Sequence, residues 1–81
     1  MHPIRYANTS HSSGISYYAI GDDFIAVQFE DSTVYIYDRV TPGPFHVARM
    51  KALAAEGRGL GTYISQHVRE SYARKQEGWS S

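Results

Sequence analysis

The clearest fold signal in the sequence is Phe24–Val40, FIAVQFEDSTVYIYDRV, where two apolar runs flank the short polar turn Asp31-Ser32. Runs rich in β-branched and aromatic residues, bounded by turn-forming residues, are typical of strands joined in a hairpin. We therefore predict antiparallel strands over Phe24–Glu30 and Thr33–Val40. Alternate residues of a strand share one face, and the apolar set on the first strand is Ile25, Val27 and Phe29.

The length of the turn decides which side chains of the second strand enter the core. A two-residue turn directs Val34 and Ile36 inward. A three-residue loop places Tyr35 opposite Phe29 and directs Tyr35 and Tyr37 inward, because a slip of one residue exchanges the two faces. The Asn-Gly or Asp-Gly dipeptide that favours a two-residue turn is absent, so we predict that the tyrosines point inward.

The strand Thr33–Val40 is apolar on both faces in either register. A half-solvated strand normally alternates apolar and polar residues, so we expect the outer face of the sheet to contact another surface. The partner that we predict is a second copy of the chain, which would make a homo-oligomer through the outer sheet face.

A further strand, Ile15–Ile20, precedes this hairpin, and Gly21-Asp22-Asp23 between them has the composition of a hairpin loop. The three strands form an antiparallel meander. If the loop has three residues, the sheet face that carries Ile25 also carries three side chains of the first strand, those of Ile15, Tyr17 and Ala19.

Downstream of the sheet, the sequence has the pattern of two helices. Pro44 fits the first turn of a helix, and Gly57 fits a left-handed C-cap, so we predict a helix over Phe45–Glu56. Thr62 is the predicted N-cap of a second helix that ends at about Arg74.

The predicted fold class is α+β, with a three-stranded antiparallel β-meander followed by an α-helical hairpin (βββαα). Residues 12–75 are expected to form a single domain. Residues 1–11 lack periodicity and are predicted to be a flexible N-terminal arm, and residues 76–81 a polar C-terminal tail. Trp79 in this tail is either a packing contact or a loose hydrophobe.

Composition excludes several classes of site. The chain has 81 residues, enough for one domain, and no cysteine, which rules out disulfides and thiolate zinc sites. It contains neither an apolar run of about 18 residues nor a signal-peptide pattern. We expect a cytoplasmic protein that makes no membrane contact.

The net charge is zero, but the charges are unevenly distributed. Residues 1–38 hold one Arg against five Asp and Glu, a net charge of −4, and residues 39–81 hold seven Lys and Arg against three Glu, a net charge of +4. A basic face that binds an anion is one interpretation, and ordinary solvated surface charge is the other.

Several short motifs occur in order over residues 12 to about 74: Ser12-Ser13-x-Ile15, Ile25-x-Val27-x-Phe29, Tyr35-x-Tyr37, Val40-x-Pro42 and Gly61-x-Tyr63-Ile64-x-x-x-Val68-Arg69-x-x-Tyr72. Together they resemble the KTSC domain, a small module that occurs alone in bacteria and phages and at the C-terminus of some lysyl-tRNA synthetases. The chain departs from that pattern at Ile64 and Ser65 and lacks a turn glycine near Ser32. The resemblance implies RNA binding without established catalysis.

The loop Gly57–Gly61 contains three glycines and Arg58. Glycines permit close backbone approach, a helix start offers free N–H groups, and arginine binds phosphate through two parallel hydrogen bonds. These properties predict an anion site formed by Arg58, Gly59, Gly61 and Thr62. Alternatively, the glycines only link two helices.

Other candidate ligand contacts combine cations with aromatic rings. Arg49 and Arg69 lie off the predicted core faces of their helices and are candidates for phosphate contacts. Tyr63, Tyr35 and Tyr37 are candidates for base stacking. Core packing is the competing interpretation for each tyrosine.

Catalytic and metal chemistry find little support. The four histidines, His2, His11, His46 and His67, lack a metal-ligand spacing, so we predict no metal and no cofactor. A metal-free ribonuclease that uses His46, His67, Arg58 and Tyr63 remains a minor hypothesis.

We therefore predict a non-enzymatic binding module for a phosphate-bearing ligand, with RNA as the leading ligand. One alternative is a small oligomeric protein that binds or sequesters a small nucleotide signal, cyclic or linear, in a pocket between subunits. A further alternative is a protein–protein interaction module.

Overall fold

The computed structural model describes residues 3–7 and 14–79. Five antiparallel strands form one sheet in the order β1-β2-β3-β4-β5. Their bounds are Ile4–Arg5, Ile15–Ile20, Phe24–Phe29, Thr33–Asp38 and Arg74–Glu77. Helices α1 (Pro44–Glu56) and α2 (Leu60–Tyr63) follow β4, and a π-helical turn (Ile64–Val68) continues α2. The α+β class is confirmed, and the predicted meander is its β2–β4 part.

The β3–β4 turn confirms that the tyrosines point inward. Ser32 adopts a left-handed conformation with φ 74°, and its N–H donates to the Phe29 carbonyl at 2.9 Å. Tyr37 pairs with Ile25 and Tyr35 with Val27, so both tyrosines share the face of the core. The predicted pairing of Tyr35 with Phe29 is wrong by two residues, a shift that preserves the face.

The β2–β3 turn differs from the expected three-residue loop. The Gly21 N–H donates to the Phe24 carbonyl at 3.0 Å, which closes a tight turn over Asp22 and Asp23. Ile20 therefore pairs with Ile25, and Tyr18 with Val27. This one-residue difference reverses the faces. The prediction that Tyr17 and Ala19 face the core is wrong, and Tyr18 faces it instead.

A β-bulge at the start of β2 reverses the alternation once more. The register shifts between Ile15 and Tyr17, so Ile15 pairs with Phe29 and enters the core as predicted. An extra residue on one strand moves every residue beyond it to the opposite face of the sheet.

Helix α1 begins and ends close to the predicted residues. Pro44 is its first residue, and Gly57 is a left-handed C-cap whose N–H donates to the carbonyls of Leu53 and Ala54. The side chains that α1 buries against the sheet are Val47, Met50 and Ala54. Burial of a side chain such as Met50 stabilises the fold by about 1.5–3 kcal/mol.

The second helix is shorter than predicted. It starts after Gly59, which occupies the N-cap with φ 83°, so Thr62 lies inside the helix and is not its cap. The helical conformation ends at Val68 instead of Arg74. Residues 74–77 instead form β5, which pairs with β4, and the Ala73 N–H donates to the Ile36 carbonyl at 2.7 Å. The open edge of β4 thus outweighs the local helix propensity of this segment.

Both chain ends are more ordered than predicted over the described residues. Ile4 and Arg5 pair with β2, and the Tyr6 side chain is only 3% exposed. Trp79 packs on the outer sheet face. Residues 4–6 therefore do not belong to a flexible arm, and the predicted boundary at residue 76 cuts through β5. Ser12 and Ser13 lie outside the described residues.

Candidate functional site

A cleft of about 440 Å³ lies between the β3–β4 hairpin and the α2–π segment (Leu60–Val68). Arg69, which follows this segment, also lines the cleft. Its volume is within the range of small-molecule sites, about 300–1,000 Å³. Five of the predicted site residues line this cleft: Tyr35, Tyr37, Gly61, Thr62 and Arg69. The remaining lining residues are Phe29, Asp31, Ile64 and Ser65.

The sheet side of the cleft is aromatic. Tyr35 is half-buried and packs edge-to-face between Phe29 and Tyr72, with ring centroids 5.4 Å and 4.9 Å away. Edge-to-face pairs hold rings in fixed orientations. Tyr35 is therefore held in place and keeps part of its surface accessible, as base stacking requires.

Tyr37 has a different role from the stacking that its sequence context predicts. Its side chain is only 1% exposed, so its ring has no free face for a base. Its hydroxyl makes no hydrogen bond within residues 3–7 and 14–79. Every fully buried side-chain polar atom of these residues has a hydrogen-bond partner. Tyr37 lines the cleft with the small part of its surface that stays accessible.

The pKa of the Tyr37 phenol is raised well above its ordinary value, chiefly by burial and further by the nearby Tyr35 and Tyr72. Burial disfavours the charged phenolate. Tyr37 thus stays protonated, and its hydroxyl remains a neutral group that can donate a hydrogen bond.

The helix side of the cleft is polar and basic. Gly61, Ser65 and Arg69 recur every four residues, the spacing that aligns side chains along one helix flank, and Thr62 lies beside them. The described residues contain a single ion pair, Arg39 Nε to Asp23 Oδ2 at 3.5 Å. The Arg69 guanidinium is therefore available to an anionic ligand.

Asp31 places one carboxylate at the hairpin end of the cleft. Its Oδ1 accepts the Thr33 N–H at 3.0 Å, a contact typical of a turn-forming aspartate. A phosphate near this carboxylate would be repelled. The charges of the cleft therefore favour an anionic group on the Arg69 side and hydrogen-bond donors on the Asp31 side.

The structure does not bring the remaining predicted phosphate contacts into this cleft. Arg58 is exposed in the α1–α2 connection, and Gly59 is the left-handed N-cap of α2. Arg49 is exposed on α1. The glycines at 57 and 59 occupy capping positions, as the helix-link interpretation of this loop expects.

A second side-chain cluster lies where α1 packs beside the α2–π segment. His46 Nδ1 is hydrogen-bonded to Tyr63 Oη at 2.6 Å, and the His67 ring lies 4.6 Å from the Tyr63 ring at an interplanar angle of 38°. Phe45 contacts His46 edge-to-face at 5.5 Å. We call these four side chains, Phe45, His46, Tyr63 and His67, the aromatic ridge. Tyr63 therefore belongs to the ridge and not to the cleft.

The ridge gathers three of the four residues of the ribonuclease hypothesis. Arg58 is the exception, because it lies beyond the C-terminal end of α1, and the helix from His46 to Glu56 alone spans about 15 Å. Among the described residues, no group of three His, Asp or Glu side chains is close enough to hold a metal ion.

The outer sheet face is partly covered by the chain itself. Trp79 packs against a buried cluster of small and branched side chains on that face, and its Nε1 donates to Gln28 Oε1 at 2.8 Å. The members of that cluster are Ala19, Ala26, Val34 and Ile36. The sequence left open whether Trp79 is a packing contact or a loose hydrophobe, and the structure shows a packing contact. Trp79 thus supplies an intramolecular partner for the apolar outer face.

Sequence reasoning missed Phe29, Asp31, Ile64 and Ser65 as lining residues of the cleft. The four-residue spacing of Gly61, Ser65 and Arg69 is a signal that identifies Ser65. Asp31 carries no comparable signal, because its position in a turn explains it fully.

No family model matches this chain, and comparisons with curated proteins and with solved structures find no match. The resemblance to the KTSC domain therefore stays a prediction. In the described part of the chain, no helix is long and apolar enough to span a membrane.

Proposed function

We propose that this protein is a non-enzymatic binding module whose ligand carries a phosphate and an aromatic base, with RNA as the leading ligand. The observation that carries the proposal is the cleft, where Arg69, which forms no ion pair among the described residues, and two hydroxyl groups lie opposite tyrosines. Phosphate recognition by arginine together with stacking on aromatic rings is typical of single-stranded nucleic-acid sites.

Each side of the cleft has a distinct role in this proposal. Arg69, with Thr62 and Ser65 beside it, binds the phosphate. Tyr35 packs against the base, and the Tyr37 hydroxyl donates a hydrogen bond to it. Asp31 accepts hydrogen bonds from base N–H groups and keeps the phosphate at the Arg69 side.

The resemblance to the KTSC domain supports RNA as the ligand, since it implies RNA binding. The size of the cleft favours a second candidate, a small nucleotide, because about 440 Å³ holds one nucleotide unit. The predicted pocket between subunits, the homo-oligomer through the outer sheet face and the protein-interaction alternative all stay predictions.

A salt-dependent titration tests the proposal. A labelled single-stranded RNA of mixed sequence, about 12 nucleotides long, is titrated with the protein at about 50 and 200 mM salt. RNA binding should weaken steeply with salt, because each neutralised phosphate releases counterions. Binding of AMP or GMP that is unaffected by salt, without RNA binding, would instead favour the small-nucleotide candidate.

Two arginine variants locate the site. Arg69→Ala should weaken RNA binding and reduce the salt slope by about 0.7 per lost phosphate contact. Arg58→Ala removes the same charge outside the cleft, so it is a matched control that should retain the wild-type slope. The opposite ranking would return the phosphate site to the Gly57–Gly61 loop. A denaturing gel of the incubated RNA tests the ribonuclease hypothesis on the same samples.

A further inference from the structure

The α2–π segment separates two different surfaces. Leu60, Ile64 and Val68 bury its inner side against the sheet. Helical geometry then places the Gly61-Ser65-Arg69 row on one flank and Tyr63 with His67 on the other. The cleft and the aromatic ridge therefore flank the same short helical segment, with its solvent side between them.

The ridge is exposed as well as pre-ordered. Phe45 is 76% exposed although it is a large apolar side chain, and His67 is exposed, whereas His46 and Tyr63 are half-buried. The rings hold one another through close contacts, with His46 and His67 centroids 6.3 Å apart at an angle of 31°. A stacking surface needs such accessible faces in fixed orientations, and this one loses little side-chain entropy on binding.

The charged side chains that neighbour the ridge are two arginines and one glutamate. None of its four members is acidic. Arg49 lies one helical turn from His46 on α1 and is exposed. Glu70, also exposed, follows His67 by three residues, and Arg69 lies on the other flank of the α2–π segment, beside the cleft. Neither arginine forms an ion pair within the described part of the chain.

We propose that the aromatic ridge is a second contact site for the same single-stranded RNA, where a base one or more nucleotides from the one in the cleft stacks on Phe45 or His67. This inference rests on the proposed function, and it makes the ligand a strand that crosses the α2–π segment. The imidazole groups of His46 and His67 add hydrogen-bonding capacity for base edges. A mononucleotide that occupies the cleft alone would make no use of the ridge.

The test measures the affinity of the labelled RNA, about 12 nucleotides long, for single variants at about 50 mM salt. Phe45→Ala and His67→Ala should each weaken binding by about fivefold or more, the loss that corresponds to about 1 kcal/mol of base stacking. Tyr17→Ala removes an exposed aromatic ring from the sheet face that points away from the helices. Gln66→Ala shortens the exposed side chain next to His67 without removing a ring. Both are matched controls that should retain wild-type affinity within about twofold.

The outcomes separate the two proposals. If Arg69→Ala weakens binding while both ridge variants behave like the controls, the ridge is not an RNA contact and the cleft proposal stands. If the ridge variants weaken binding while Arg69→Ala does not, the ridge stands and the cleft is wrong. If the wild-type protein binds no RNA at this salt concentration, both proposals fail. Circular dichroism of each variant verifies that a loss of affinity does not come from a loss of fold.

Discussion

Tyr37 is a core side chain that also borders the cleft. It packs in the core with Leu60 and Ile64 of the α2–π segment. A buried phenol that stays neutral is a donor at every physiological pH. Sequence context alone leaves this residue open to stacking or to core packing, and its burial favours the core.

The raised pKa of Tyr37 predicts a loss of stability in alkaline solution. The unfolded phenol ionises above about pH 10, whereas the folded phenol remains protonated, so the unfolded state gains stability as the pH rises. This residue contributes its full stabilisation below that pH and then loses about 1.4 kcal/mol per pH unit. Urea unfolding at several pH values above 10 should show a shallower decline for Tyr37→Phe than for the wild-type protein. Equal declines would mean that the phenol is not protected in the folded state.

At the scale of elements, the two left-handed glycines around the α1–α2 connection have unequal surroundings. A Cβ on Gly57 would lie 2.7 Å from the Ala7 Cβ, in the segment that follows β1. A Cβ on Gly59 would meet only Leu53 Cδ2, at 3.5 Å. Gly57 thus lets the N-terminal segment pack against the end of α1, beyond its role as a helix cap.

Two alanine variants distinguish these roles. Gly59→Ala should lower the free energy of unfolding by about 1 kcal/mol, the cost of a left-handed L-residue. Gly57→Ala carries the same cost plus the close contact with Ala7, so we expect a loss of about 2–3 kcal/mol. Thermal or urea unfolding of both variants measures the difference. Equal losses would show that the N-terminal segment does not pack on this cap.

On the scale of the whole molecule, the C-terminal segment closes the structure. β5 covers the edge of β4, and its sequence Arg-Lys-Gln-Glu gives the sheet a charged edge of the kind that resists further strand addition. Trp79 then folds over the outer face and bonds to Gln28 in the central strand β3. The last described residue therefore contacts the middle of the fold.

Trp79→Ala should destabilise the protein by about 2 kcal/mol, less than the roughly 3–5 kcal/mol for a fully buried aromatic ring, because Trp79 is half-buried. Trp79→Phe retains most of the packing, removes the bond to Gln28, and should have a smaller effect. Sedimentation of the wild-type protein and Trp79→Ala over a range of concentrations measures self-association. Association that only the variant shows would identify Trp79 as the cover of this face, whereas a wild-type oligomer that Trp79→Ala disrupts would support the predicted homo-oligomer.

Local signals predicted a large part of this fold. The positions of strands β2–β4, Pro44 and Gly57 at the ends of α1, and the inward tyrosines of β4 all depend on residues close in sequence. Five residues of the cleft could also be named in advance, because arginine, hydroxyl and tyrosine side chains carry their chemistry wherever they lie.

Only the tertiary structure decided the rest. Whether residues 74–77 form a helix or a strand depends on the open edge of β4, and the burial of Trp79 depends on a sheet face made from three strands. The separation of Tyr35 and Arg69 into the cleft, and of Tyr63 and His67 into the ridge, required the path of the α2–π segment across the sheet. These features arise from contacts between residues distant in sequence, which side-chain pattern and local propensity do not encode.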